Sequence, residues 1–299
     1  MGIFFVKGDL CFGENIMFGS NNLKVVDNKA IGNNDEARIV AIIAGGGDLP
    51  TKIIQKLESL GRTYVVASIN GHGPSEYESF EIGAVGALLD FVKKSGAKEV
   101  LFCGSVKRPS FMSLKLDQIG KKWLTKLGVR AFLGDDALLK GVRKLLEKEG
   151  LLIISPQSIL STLLTPGGIL TKMRPTDIDL QDIARGLFVL NTLSKTDIGQ
   201  AAIIQEGVVL GVEAAEGTDN LIRRCLGLKV SEHGGVLVKT AKLNQDKSMD
   251  LPTIGKATIL EAHSSKLSGI AIGQGQSQIL DYEDTIKMAD ELGIFVIGV

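Results

Sequence analysis

Aromatic residues are scarce in this chain, at 5% of 299 positions with a single tryptophan. A surface that stacks nucleobases draws on such rings, so their scarcity argues against one. Neither sign of charge is in excess: 34 Lys and Arg stand against 34 Asp and Glu, and the basic footprint of a nucleic-acid binder is missing. The three cysteines (Cys11, Cys103, Cys225) and three histidines (His72, His233, His263) are scattered. They make neither a metal-ligand spacing nor a disulfide framework, and a reducing cytoplasm is the expected compartment. No apolar run approaches the roughly 20 residues needed to span a bilayer. Lys7, Asp9 and Glu14 interrupt the first apolar patches, so that stretch is not expected to be a signal peptide. The G-x-S-x-G, H-E-x-x-H and C-x-x-C patterns are all missing. A hydrolase built on this chain must work with carboxylates, backbone donors and a weakly held metal.

What is present suits an α/β protein. Hydrophobic content of 44% and a mean hydropathy of +0.19 fill two domains or one large one. Residues 1–37 show no sustained period and are expected to be an extension, poorly ordered or upstream of the true start. Ile39–Ala44 is a β-branched run without alternation, the pattern of a strand buried on both faces. Gly45-Gly46-Gly47 follows, then Pro50 at a first helical position and Ile53, Ile54, Leu57 and Leu60 at helical spacing. Tyr64–Ile69 and Glu99–Cys103 read as further strands with a helix between them over 84–95. That βαβαβ order predicts a parallel, Rossmann-like sheet with right-handed crossovers. Helices are expected over 114–132 and 135–148.

Thr165-Pro166-Gly167-Gly168 reads as the boundary loop, which divides the chain into an extension (1–37), a Rossmann-like domain (38–165) and a mixed α/β domain (166–299). In the last, Thr176 caps a helix bearing Leu180, Ile183, Leu187 and Leu190. Strands over 201–205 and 208–213 flank the tight turn Glu206-Gly207. Later strands are expected over 236–241, 270–272 and 294–297, and helices over 258–266 and 284–292.

Several loops carry chemistry. A strand that ends in glycines and feeds a helix offers free N–H groups and a positive helix end to a phosphate. The plainer alternative at Gly45-Gly46-Gly47 is a tight turn that needs glycine for its backbone, and both readings stand. The turn is neither G-x-G-x-x-G nor a Walker loop, and Asn70 ends the second strand where NAD asks for an acidic residue. Gly104-Ser105-Val106-Lys107-Arg108-Pro109 leaves the same sheet edge, where Arg108 can clamp a phosphate or simply meet solvent. In Glu213-Ala214-Ala215-Glu216-Gly217-Thr218-Asp219, Thr218 suits a helix cap, while two acids flanking Gly-Thr suit Mg²⁺ beside a diphosphate. Asp250 precedes Leu251-Pro252-Thr253-Ile254-Gly255, where Pro252 stiffens the turn and can begin a helix. The carboxylate is either a base or metal ligand, or an N-cap worth about 1 kcal/mol.

Taken in order from residue 38 onward, Ile43–Pro50, Gly104–Pro109, Gly134–Leu139, Asp197–Gln200, Glu213–Asp219, Met249–Gly255 and Leu292–Val299 resemble one family. It is the cytoplasmic UDP-2,3-diacylglucosamine pyrophosphatase family of lipid A synthesis, the two-domain type unrelated to calcineurin-like phosphoesterases. The resemblance implies Mg²⁺-dependent hydrolysis of a lipid-linked UDP-sugar to UMP and 2,3-diacylglucosamine 1-phosphate, by a homodimer that binds the lipid sugar between its domains. It implies Asp250 as the catalytic or metal-handling carboxylate; Asp219, from its place beside Gly217-Thr218, is a second metal candidate. Substrate contacts are expected from Gly45, Gly46, Gly47, Asp48, Gly104, Ser105, Val106 and Arg108 on one side. Gln200, Glu216, Gly217, Thr218, Lys239 and Thr253 are expected on the other. Leu151–Leu164 is a candidate trough for the acyl chains, although an ordinary core segment is the stronger reading of its leucines. A lipid substrate also implies transient contact with the inner membrane surface. The rival functions are a nucleotide-sugar binder or glycosyltransferase with two Rossmann-like halves, and a dinucleotide oxidoreductase, which Asn70 disfavours.

Overall fold

The computed structural model describes residues 38–106, 114–128, 135–242, 245 and 251–299. The expectations placed on residues 1–37, Arg108 and Asp250 lie outside the described residues.

Strand β1 (Val40–Ala44) is apolar at every position because both its faces are covered. On one face Val40, Ile42 and Ala44 pack with Ile53, Ile54 and Leu57 of α1 (Leu49–Ser59). Ala41 and Ile43 join a separate cluster on the other face. Along the chain follow β2 (Tyr64–Ile69), β3 (Glu78–Phe80), α2 (Val85–Lys94), β4 (Glu99–Cys103), α3 (Gln118–Leu127), α4 (Asp135–Lys148), β5 (Leu152–Ile154) and a short α5 (Pro156–Ile159). The sheet order is β3-β2-β1-β4-β5 with every pair parallel, the expected Rossmann-like arrangement. Strand β3 went unread because Glu-Ser-Phe carries no periodicity. Helix α3 is shorter than expected because the Asp117 side chain caps it, accepting from Gly120 N at 2.7 Å, and Gly128 ends it at φ 54°.

The second lobe comprises β6 (Gly168–Ile169), α6 (Asp177–Leu193), β7 (Ala201–Gln205), β8 (Val208–Val212), α7 (Thr218–Leu226), β9 (Val236–Lys239), β10 (Thr253–Ile254), α8 (Lys256–Ser264), β11 (Gly269–Ile272), β12 (Gln278–Ile279), α9 (Tyr282–Glu291) and β13 (Phe295–Gly298). Its main sheet runs β6-β13-β11-β9-β7-β8 and is mixed: β13, β11 and β9 are parallel, while β6, β7 and β8 join antiparallel. Thr176 caps α6 through a reciprocal box with Asp179. Val236 and Val238 face α6, and Leu237 faces the opposite cluster with Leu221, Ile222 and Ile259. Strand alternation therefore sends Lys239, two residues beyond Leu237, toward the α7 and α8 side. Pro252 begins no helix. It leads into β10, which pairs with β12, because Pro fixes an extended residue before it and the next two residues find a ladder partner.

The lobes meet at the boundary loop, where Thr165 N donates to Ser277 O and Gly275 N to Thr165 O, each at 3.0 Å. Lys52 of α1 forms an ion pair with Asp281 across the same junction. Among the described residues no helix is long and apolar enough to cross a membrane.

Candidate functional site

In an open parallel sheet, ligands bind beyond the carboxyl ends of the strands, where successive connections leave on opposite faces. That point lies between β1 and β4, since α1 packs on one face and α3 on the other. The two loops leaving it are tied together. Gly46 N donates to Ser105 O at 2.8 Å and Ser105 N returns to Gly46 O at 2.9 Å, while Gly45 N donates to Cys103 O at 2.8 Å.

This corrects the expectation that all three glycine amides are ligand donors. Two of them are already spent on the end of β4 and the loop that follows it, and glycine is needed there because the backbones nearly touch. A Cβ on Gly45 would stand 2.6 Å from Ser105 O, and one on Gly104 would stand 2.7 Å from the Gly45 carbonyl carbon. Gly47 differs: its φ of 87° has nothing within reach of a Cβ. Gly47 and the start of α1 at Leu49 line the gap, and a helix start leaves its first N–H groups unpaired.

A cavity of about 360 Å³ opens in front of this edge. Gly46, Gly47, Asp48, Gly104 and Ser105 line it from the first lobe, and Gln200, Lys239 and Thr253 from the second. The structure therefore brings eight of the expected substrate contacts to one space. Asp48 is exposed in it and makes no side-chain cap to its own helix. Cys103 also lines the space, but burial pushes its thiol up to about 12, so it stays protonated and is no nucleophile.

Lys239 is the best-anchored cation in this wall. It is 5% exposed, and its Nζ donates to Thr218 Oγ1 and to Thr253 O, each at 2.8 Å. Thr218 does not cap α7. Gly217, at φ 81°, holds the cap position, and the Thr218 hydroxyl donates to Glu213 Oε1 at 2.8 Å. Thr218 thus stands behind Lys239 and outside the cavity lining.

Three other expected contacts and the second metal candidate lie elsewhere. Gly45 and Val106 line a second cavity rather than the first. Glu216 is bound to Arg224 at 2.6 Å and to Ala214 N at 3.1 Å, and the Arg224 hydrogen bond holds its carboxyl below the usual range. Asp219 sits in the first turn of α7 beside Arg223, away from the cavity lining.

Sequence reasoning missed Gln157 and Gln278, which both line the polar cavity. Gln157 follows the carboxyl end of β5, a position that could have flagged it. Gln278 lies in a two-residue strand with no pattern to find.

The second cavity, of about 330 Å³, is apolar. Its walls are Val85, Leu88 and Val92 of α2, Trp123 and Leu124 of α3, and Leu138, Val142 and Leu146 of α4. It shares Phe102, Cys103 and Gly104 with the polar cavity, so the two are neighbours through the end of β4. Leu151–Leu164 contributes nothing to it, and Leu151, Ile153, Ile159 and Leu163 are buried. A chamber that holds charged and amide side chains beside an apolar one suits an amphiphile whose charged part sits between the lobes.

The family description for the LpxI N-terminal domain matches residues 39–163, and that for the LpxI C-terminal domain matches residues 166–297. A curated relative, UDP-2,3-diacylglucosamine pyrophosphatase LpxI of Caulobacter vibrioides, is 38% identical over 273 residues, which is 88% of this chain and 98% of that protein.

Proposed function

The chain belongs to the LpxI family, and from that premise we propose that it is a hydrolase cleaving the diphosphate of UDP-2,3-diacylglucosamine in lipid A synthesis. In this reading the step depends on Mg²⁺ and gives UMP and 2,3-diacylglucosamine 1-phosphate. The observation that carries it is the pair of neighbouring cavities, one lined by charged and amide side chains and one apolar, which share Phe102, Cys103 and Gly104 as wall residues.

The Gly47 amide and the start of α1 bind diphosphate oxygens from the first lobe, where the helix end favours anions. The Lys239 ammonium approaches from the second lobe and balances charge that grows on the leaving oxygens. Gln157, Gln200 and Gln278 present amide donors and acceptors to the sugar and the uracil. The apolar cavity takes acyl chain, which draws the amphiphile out of the membrane surface.

A divalent cation fits these residues. The Asp48 carboxylate lines the chamber that the diphosphate would enter, and two anions there call for a cation between them. Mg²⁺ is commonly held by one or two carboxylates together with substrate phosphates rather than by an all-protein cage. Asp48 and Asp250, which directly precedes the lining residue Leu251, would hold it. Bound there, the cation supplies charge neutralisation at the diphosphate. Asp250 also orients the attacking water. We take the enzyme to be a cytoplasmic homodimer that meets the inner membrane only in passing.

The test is UMP release from UDP-2,3-diacylglucosamine by wild type and Asp250→Ala, each in Mg²⁺ and in EDTA. We expect chelator-sensitive release by the wild type and near-complete loss in the folded variant. Tight retention of the UDP-sugar with no turnover in Mg²⁺ would make the protein a binder and end the hydrolase reading.

A further inference from the structure

Glu213 is absent from the expected contacts, yet it is 6% exposed and sits one bond behind the cavity wall. It follows β8, and its backbone is clamped: its N–H donates to Ala201 O at 2.8 Å, and a Cβ on Gly199 would lie 2.1 Å from its carbonyl oxygen. Its two carboxylate oxygens are divided. Oε2 accepts from the Gln200 amide at 3.2 Å, and Oε1 meets the Thr218 hydroxyl at 2.8 Å.

The proton positions in this chain of contacts are fixed by chemistry. An ammonium can only donate, so Lys239 gives an N–H to Thr218 Oγ1. The hydroxyl has one proton, and with a lone pair taken by Lys239 that proton goes to Glu213. The Thr253 carbonyl takes a second Lys239 N–H. A flexible four-carbon stem is thereby fixed at two points next to the space where a diphosphate would lie.

We propose that Glu213 is a positioning residue that acts through the Thr218 hydroxyl to set the Lys239 ammonium against the substrate's diphosphate. This rests on the function argued above and goes beyond it by assigning a role to a side chain that never reaches the substrate. Preorganised charge acts mainly on the transition state, so its loss shows in kcat more than in KM. Glu213→Gln tests the polarity of the relay. In Glu213→Gln the carbonyl oxygen stays with the Gln200 N–H and the amide NH₂ turns toward Thr218, so the hydroxyl receives donors from both sides and its own proton loses the acceptor that fixed its orientation.

The experiment compares Thr218→Val, Thr218→Ser, Glu213→Gln and the Thr218→Val/Glu213→Gln double variant by UMP release from UDP-2,3-diacylglucosamine in Mg²⁺, with melting temperatures recorded. Thr218→Val should lower kcat roughly 10- to 100-fold, the scale of a displaced catalytic group, with KM little changed. Thr218→Ser should restore a rate near wild type. Glu213→Gln should fall like Thr218→Val, and the double variant no further than Thr218→Val alone, because both break one relay. A wild-type rate for Thr218→Val, or losses that multiply in the double variant, overturns the relay. If Glu213→Gln fails to fold, the Thr218 Val and Ser pair still decides. An inert wild type would instead remove the hydrolase function, and this role with it.

Discussion

Shortening the acyl chains of the substrate probes the apolar cavity under α2, α3 and α4. Each methylene taken out of water contributes about 0.8 kcal/mol, or roughly fourfold in affinity. A chain lodged among Leu88, Trp123, Leu124 and Val142 that loses two methylenes from its buried part therefore loses about 1.6 kcal/mol, roughly 15-fold. A chain left in water loses nothing. The assay is the KM for UMP release with substrates differing by two carbons per chain, at concentrations where neither aggregates. Val142→Trp supplies the internal control. It fills part of a space of about 330 Å³ from the α4 side, and should flatten the chain-length dependence while leaving kcat for the shortest substrate near wild type. Equal KM values for long and short chains would refute the assignment. So would a steep dependence that survives the tryptophan in a folded variant.

Three further outcomes follow from the geometry. Cys103→Ser should keep most of the activity, and in the folded wild type Cys103 should resist alkylation at pH 8, because a thiol pushed up to about 12 supplies almost no thiolate there. Gly199→Ala should destabilise by about 2 kcal/mol or more, since it puts a side chain at φ 59° and against the Glu213 carbonyl. That corresponds to a fall of roughly 4–8 °C in melting temperature by calorimetry. Lys52→Ala should cost only about 0.5 kcal/mol, because its ion pair with Asp281 is partly solvated; a much larger loss would mean that the pair holds the lobes together.

The sequence made the buried strands plain, because β1, β2 and β4 are short, largely apolar runs without polar alternation, and a parallel sheet covers both sides. It was blind to β3, β10 and β12, which are two or three residues long and owe their pairing to neighbours rather than to pattern. At the site, the glycine turn could be located but not interpreted. Whether an amide is free depends on the end of β4 and the loop after it, nearly sixty residues away, where the Cys103 and Ser105 carbonyls capture two of the three. The same holds for Thr218, which looked like a cap until Lys239 and Glu213 claimed its hydroxyl. The apolar cavity left no local signal, since its walls come from three helices whose leucines read individually as core.

The central claim is that one diphosphate is gripped from both lobes. It is tested most directly by a crystal structure of Asp250→Ala with UDP-2,3-diacylglucosamine bound. Diphosphate oxygens should lie within hydrogen-bond distance of the Gly47 amide and of Lys239 Nζ, with acyl chain running past Phe102 toward Trp123. A diphosphate bound away from the gap between the lobes, or acyl chains lying wholly outside the α2–α4 cavity, would contradict it.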